Sequence, residues 1–258
     1  MKYVVKFSKT GDLRYISHLD TMRLFQRAFK RAGIGLLHSQ GFNPHPRMIL
    51  ALPLPLGCES RGEYLEFHTA DAMEPSVIKE RLEPVLPRGI GLLFCAPIPE
   101  AERKNLAAQV VLAGYRLESR CDPAFDWREA LNAYLSQESI LGERRQKKTK
   151  SYAVVNIKPW IKEFSLSEAG EEGPVFFALL SAGSGDNLNP EVLLKSFFQW
   201  LDRPYLRWEH SLCRTELYKS DGNGGFCPLF IPASPAEGRE AAGRSGPESI
   251  PAGAGWES

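Results

Sequence analysis

The chain has 258 residues, 43% of them hydrophobic and 24% charged, with a formal net charge of +1. These are ordinary globular values that exclude collagen-like and low-complexity classes and allow one large domain or two small ones. The five cysteines (Cys58, Cys95, Cys121, Cys213, Cys227) are odd in number and scattered without a C-x-x-C pair, which argues against zinc, an iron–sulfur cluster and a disulfide framework.

In chain order, Tyr3 to Ser8 reads as a strand and Thr10-Gly11-Asp12 as a turn. Ser17 then fits a helix N-cap, with Asp20 three residues on completing a variant capping box. Leu19, Met22, Phe25, Phe29 and Ala32 recur at steps of three and four as one apolar stripe, and Gly33 is a natural stop. The outward positions Arg23, Gln26, Arg27, Lys30 and Arg31 are almost wholly cationic, with no acid four residues away. The following SQGFNPHPR, Ser39 to Arg47, cannot be regular structure: Gly41 frees the backbone while Pro44 and Pro46 stiffen it. A stiff loop would hold Gln40, Asn43, His45 and Arg47 in fixed directions, as a binding or catalytic constellation requires, or would merely satisfy its own backbone.

Met48 to Leu56 is apolar, but Pro53 and Pro55 leave only its first part able to pair as a strand. Gly57 to Gly62 reads as a turn, Glu63 to His68 as a strand, Pro75 to Leu86 as a helix and Ile90 to Ala96 as a strand. The order is βαββαβ, the ferredoxin-like plan. A second such unit fits residues 107–219: strand Gln109 to Glu118, helix Trp127 to Leu135, strands Tyr152 to Ile157 and Val175 to Leu180, helix Pro190 to Leu201 and strand Leu206 to Leu217. Pro159 to Leu166 stays open between strand and a turn of helix. The expected fold is therefore α+β, with two tandem ferredoxin-like units over residues 1–100 and 107–219. From Ser220 onward Gly, Pro, Ser, Ala and Glu predict a disordered tail over 220–258.

The small net charge hides an asymmetry. Residues 1–50 hold nine Lys or Arg against two Asp, a net of +7, and residues 220–258 hold two Arg against five acids, a net of −3. The stretch ERRQKKTKSY adds Arg144, Arg145, Lys147, Lys148 and Lys150 against one acid. Two basic elements on two units fit a polyanionic partner, with Lys and Arg on phosphates and Tyr15, Phe42 or Tyr152 against bases. No apolar run reaches about 18 residues, and MKYVVKFSKTGD lacks a signal-peptide core, so a cytoplasmic location away from the membrane is expected. The spacings of His18, His38, His45, His68 and Glu66 match no ligand pattern, and no metal or cofactor is predicted.

FSKTGDLRYISHLDTMRLFQRAFKRAG, SQGFNPHPRMILALPLPLG and GEYLEF together closely resemble the bacterial radical-SAM-associated (radical-SAM-linked) proteins, densely over residues 3–68. KTKSYAVVNIKPWI and LCRTELY are compatible with that resemblance. It implies an accessory role to a separate radical SAM protein, in RNA modification or ribosome-linked metabolism. The chain has no C-x3-C-x2-C and cannot itself hold the radical SAM cluster. The tandem architecture also resembles, in fold alone, CRISPR RNA-processing endoribonucleases.

Three functions follow. The first is a non-catalytic module presenting RNA, or another phosphate-rich substrate, to a radical SAM enzyme. Here Arg14, Arg23, Arg27, Lys30, Arg31 and the Arg144 to Lys150 loop bind phosphates, while Gln40, Asn43, His45 and Arg47 select the substrate. The second is a metal-free endoribonuclease with His18 or His45 as general base and Arg47 or Arg14 stabilising charge on phosphate. The third is a protein-interaction scaffold without nucleic acid.

Overall fold

The computed structural model describes residues 1–145, 151–170, 172–183 and 185–232. In the first half, β1 (Lys2–Lys9) leads through a 3-10 turn (Gly11–Tyr15) into α1 (His18–Arg31), followed by β2 (Met48–Leu50), β3 (Glu59–His68), α2 (Pro75–Leu82) and β4 (Ile90–Pro97). β1 lies between β4 and β3 and pairs antiparallel with both, while β2 pairs antiparallel with β3. Counted within this half, the strands stand in the order fourth, first, third, second.

The second half contains β5 (Leu112–Ser119), α3 (Trp127–Ser136), β6 (Leu141–Arg145), β7 (Tyr152–Asn156), β8 (Ile161–Gly170), β9 (Gly173–Ser181), α4 (Pro190–Trp200), β10 (His210–Ser220) and β11 (Phe226–Pro228). Setting β6 and β7 aside, β10, β5, β9 and β8 repeat the same order with antiparallel pairing throughout. β6 and β7 form a separate two-stranded sheet. The expected pairing of the Tyr152 to Ile157 strand with its successor is therefore corrected. The strand beside β9 is β8, whose start lies in the stretch left open at Pro159 to Leu166, because Pro159 belongs to a 3-10 turn (Lys158–Trp160) and the chain extends after it.

The halves share one sheet. β3 pairs with β10 in parallel over two positions, Cys213 with Glu59 and Arg214 with Ser60, and the same edge of β3 pairs with β2 further along. The turn expected over Gly57 to Gly62 thus ends early, and β3 begins at Glu59. Close approach explains Gly62: a Cβ there would stand 2.5 Å from the Thr215 carbonyl oxygen and 2.7 Å from the Glu216 Cα. Backbone cannot swing aside as a side chain does, so Gly62→Ala should cost about 1–3 kcal/mol. Thermal melting checks this, and an unchanged melting temperature would mean that β3 and β10 separate here without loss.

Tyr3, Val5 and Phe7 of β1 and Leu65 and Phe67 of β3 meet α1 and α2 through Phe25, Phe29, Ile78 and Leu82, all buried. Ring pairs Phe7–Phe25 at 4.8 Å and Phe29–Phe67 at 4.6 Å fix α1 on the sheet, and each fully buried phenylalanine contributes roughly 2 kcal/mol. Leu19, expected in this stripe, is 64% exposed. It lies in the first turn, where Thr21 takes the buried position instead.

The tail expected from Ser220 is corrected over its first part, since β11 folds back on β10 and Leu229 is buried in the core. Residues 233–258 lie outside the described residues. No helix among those described is long and apolar enough to cross a membrane.

Candidate nucleic-acid interface

Ser17 caps α1 by accepting from the Asp20 N–H at 3.1 Å, and its hydroxyl donates to the Asp20 carboxylate at 2.7 Å. These bonds to Ser17, then Arg23, hold the Asp20 carboxyl below its usual range. Arg23 is ion-paired with Asp20 at 3.0 Å, three residues away instead of four, so the outer face is less purely cationic than its sequence reads. Arg31 donates to the Val85 carbonyl. Arg23, Arg27, Lys30 and Arg31 are all exposed. Arg27 and Lys30 have no ion-pair partner among the described residues, which leaves them as the uncommitted cations of the helix.

The helix stops at Gly33, whose φ of 67° is costly for any residue with a Cβ. Four residues later the chain is pinned to the end of β3: Leu37 N–H donates to the His68 carbonyl, and His68 N–H to that of Arg47. Ser39 N–H donates to the His45 carbonyl, and His45 N–H returns to the Ser39 hydroxyl at 3.0 Å. The loop is thus stiff at its base, as its prolines imply. Gln40, Asn43, His45 and Arg47 are exposed, and the Phe42 ring at the tip is fully so. The side chains of Gln40, Asn43 and His45 make no hydrogen bond among the described residues. They do not merely tie up the loop backbone.

Arg14 and His18 stand elsewhere. Arg14 pairs with Glu59 at 3.2 Å, at the start of β3, and lies over the Tyr15 ring at 4.9 Å. The loop hangs from His68, at the other end of that ten-residue strand, about 30 Å away. His45 and Arg14 therefore cannot meet on one phosphate. On β6, Arg144 stacks over Trp160 at 4.9 Å, and Arg145 is the strand's last residue. Lys147, Lys148 and Lys150 lie outside the described residues.

His18 instead lines a narrow cleft of about 10 Å³, room for roughly one water, together with Phe7, Lys9, Thr21, Leu50, Leu52, Leu54 and Glu63. Lys9, Glu63 and the neighbouring Arg214 are buried, at 4%, 3% and 1% exposure. Lys9 Nζ donates to the Ile16 carbonyl at 2.9 Å. Arg214 donates to Glu63 at 2.9 Å and to the Leu52 and Pro53 carbonyls. Burial lowers the pKa of His18, with Glu63 opposing and Lys9 adding, and lowers that of Lys9 against Glu63. Sequence reasoning missed Lys9, Glu63 and Arg214. Their signal was a charged residue at an inward position of an otherwise apolar strand, as Arg214 is within LCRTELY.

An α+β protein with a cationic helix, a stiff exposed loop and a buried charge cluster at the joint of its halves is the class these features define. The chain belongs to the family described as "Uncharacterized protein conserved in bacteria (DUF2344)", whose profile matches residues 2–190. No curated protein matches it. Among solved structures it is similar to a chain of "Crystal Structure of a Cbf5-Nop10-Gar1 Complex", at 8% identity and a TM-score of 0.44, over 85% of this chain and 50% of that one. It thus spans half the length of that protein. A second likeness, to "Crystal structure of putative glycine cleavage system transcriptional repressor", has 14% identity and a TM-score of 0.22 over 85% and 98% of the two chains. Neither score carries an argument about fold or function.

Proposed function

We propose that the chain is a non-catalytic module that binds single-stranded RNA along α1 and the Ser39 to Arg47 loop and serves a separate radical SAM enzyme. The observation that carries the RNA reading is continuity: the uncommitted Arg27 and Lys30 run along α1 towards the end from which the chain passes, pinned to the end of β3, into the loop carrying the fully exposed Phe42. Cations hold phosphates without reading sequence, an exposed ring stacks a base, and Gln40, Asn43 and His45 supply unsatisfied polar groups for base edges. The radical SAM partner rests on the sequence resemblance alone. The reading of both halves as tandem ferredoxin-like units rests on their shared strand order. An endoribonuclease is less well supported, because Arg14 is ion-paired with Glu59 and His18 is half-buried in the narrow cleft, which leaves His45 with Arg47 in the exposed loop as its remaining pair.

The test is fluorescence anisotropy of a labelled single-stranded RNA across a salt series. Arg27→Ala/Lys30→Ala should weaken binding and lower the salt slope by about 1.4, at roughly 0.7 for each phosphate no longer neutralised. Phe42→Ala should weaken binding about tenfold with the slope unchanged, as loss of one stacked base does. Affinity and slope that ignore all three substitutions would overturn the reading, and absence of RNA binding by the intact chain would leave the scaffold.

A further inference from the structure

Three basic side chains stand in one row at the end of β3. Lys2 of β1 lies directly across from His68 in the antiparallel ladder, and on the other side the His68 N–H donates to the Arg47 carbonyl at 3.0 Å, one residue before β2. Tyr3, Phe67 and Met48, the neighbours of these three along their strands, pack into the core that α1 covers. Side chains alternate along a strand, so Lys2, His68 and Arg47 turn to the reverse face of the sheet. The carboxylate beside the row is already engaged: Glu66, 4% exposed, accepts from the Leu106 N–H at 2.8 Å and pairs through its other oxygen with Lys2 at 3.2 Å. His68 Nε2 stands 3.9 Å from that second oxygen, beyond hydrogen-bond range. Among the described residues, exposed Arg47 has no ion-pair partner and neither ring nitrogen of His68 makes a hydrogen bond.

We propose that Arg47 and His68 hold a backbone phosphate of the RNA strand whose base stacks on Phe42, with Lys2 neutralising Glu66 beside it. The inference rests on the RNA reading above and carries the path of the strand around the end of the sheet. Its parts converge there: Ala70 N–H donates to the Gly35 carbonyl just past α1, Leu37 N–H to the His68 carbonyl, and Arg47 closes the loop that carries Phe42. An arginine fork spans two phosphate oxygens, and an imidazole N–H supplies a further bond. Burial, then Arg47, lowers the proton affinity of His68, with Glu66 opposing and Lys2 and the Met1 amine adding. A bound phosphate brings a second anion to the ring, so His68 takes up a proton more readily as RNA binds, and RNA binds more tightly as pH falls.

Anisotropy titrations of the intact chain with labelled oligouridylate, run as salt series near pH 7.5 and near pH 5.5, test this. Arg47→Ala should weaken binding roughly tenfold, as loss of a charge-assisted hydrogen bond does, and lower the salt slope by about 0.7 at both pH values. His68→Gln should lower the slope by about 0.7 near pH 5.5 and leave it unchanged near pH 7.5, the mark of a contact that carries charge only when protonated. A merely structural histidine would lose affinity without that dependence on pH. Should His68→Gln fail to fold, NMR of the His68 ring in the intact chain decides: RNA should raise its pKa, and an unmoved pKa overturns the proposal. Slopes that ignore Arg47→Ala and His68→Gln, while Phe42→Ala still weakens binding, would overturn this inference and leave the RNA reading standing. Absence of RNA binding by the intact chain overturns both.

Discussion

Arg214→Met should destabilise the protein by about 3–5 kcal/mol, the usual cost of stranding one partner of a buried ion pair. The substitution leaves Glu63, 3% exposed, without its direct partner and also orphans the Leu52 and Pro53 carbonyls. Burial works against the Arg214 charge, but Glu63 and then Tyr115 more than offset it, so its pKa stands above the ordinary value. Glu63→Gln should cost less, since Arg214 keeps both carbonyl acceptors. The double variant should cost less than the sum of the two, because neither charge is then left alone. Urea unfolding of all four proteins measures the coupling. Strict additivity would show that the pair does not act as a unit across the joint, and that the short ladder and the Tyr64–Glu216 hydrogen bond hold β3 and β10 together without it.

That joint is the least legible part of the chain. Parallel pairing over two residues leaves no periodic trace, and Glu59 and Cys213 lie 154 positions apart. What can be read is local. Ser17, the Phe25 and Phe29 spacing and Gly33 locate α1 because capping, apolar period and a left-handed stop act within one helix. Pro53 and Pro55 rightly confine β2 to the start of its apolar run. β7 falls within the strand expected at Tyr152 to Ile157, but its partner β6 is hidden because the charges of ERR overwrite the alternation that marks a strand. At the candidate interface, composition identifies the exposed cations, but it cannot show that Asp20 engages Arg23, that Val85 engages Arg31, or that Arg14 belongs to the far end of β3.

His210 should make the fold sensitive to mild acid. Its ring lies flat on Tyr205, with centroids 4.6 Å apart and planes 3° from parallel, and edge-on to Phe198 at 4.7 Å. Nδ1 shares a hydrogen bond with the Ser119 hydroxyl at 2.8 Å, while Nε2 is buried without a partner among the described residues. A proton added to this ring has no carboxylate to meet among them. The charge that acts on it is Arg207, whose guanidinium donates to the His210 carbonyl and lies 3.8 Å from the Glu191 carboxylate. Burial first, then Arg207, lowers the imidazole pKa to about 4. The unfolded chain, with a histidine near its ordinary value of about 6.5, binds the proton more readily. Stability is therefore unaffected above that value, falls as pH drops from about 6.5 towards 4, and levels off below. The fall amounts to roughly 3 kcal/mol at most, by proton linkage. Urea unfolding across this range should show it, and His210→Phe should remove most of the decline between pH 6.5 and 5, where carboxylates contribute little. A His210 ring that titrates near 6.5 in the folded protein would sink this account, and would mean that water or a Tyr205 rearrangement reaches Nε2.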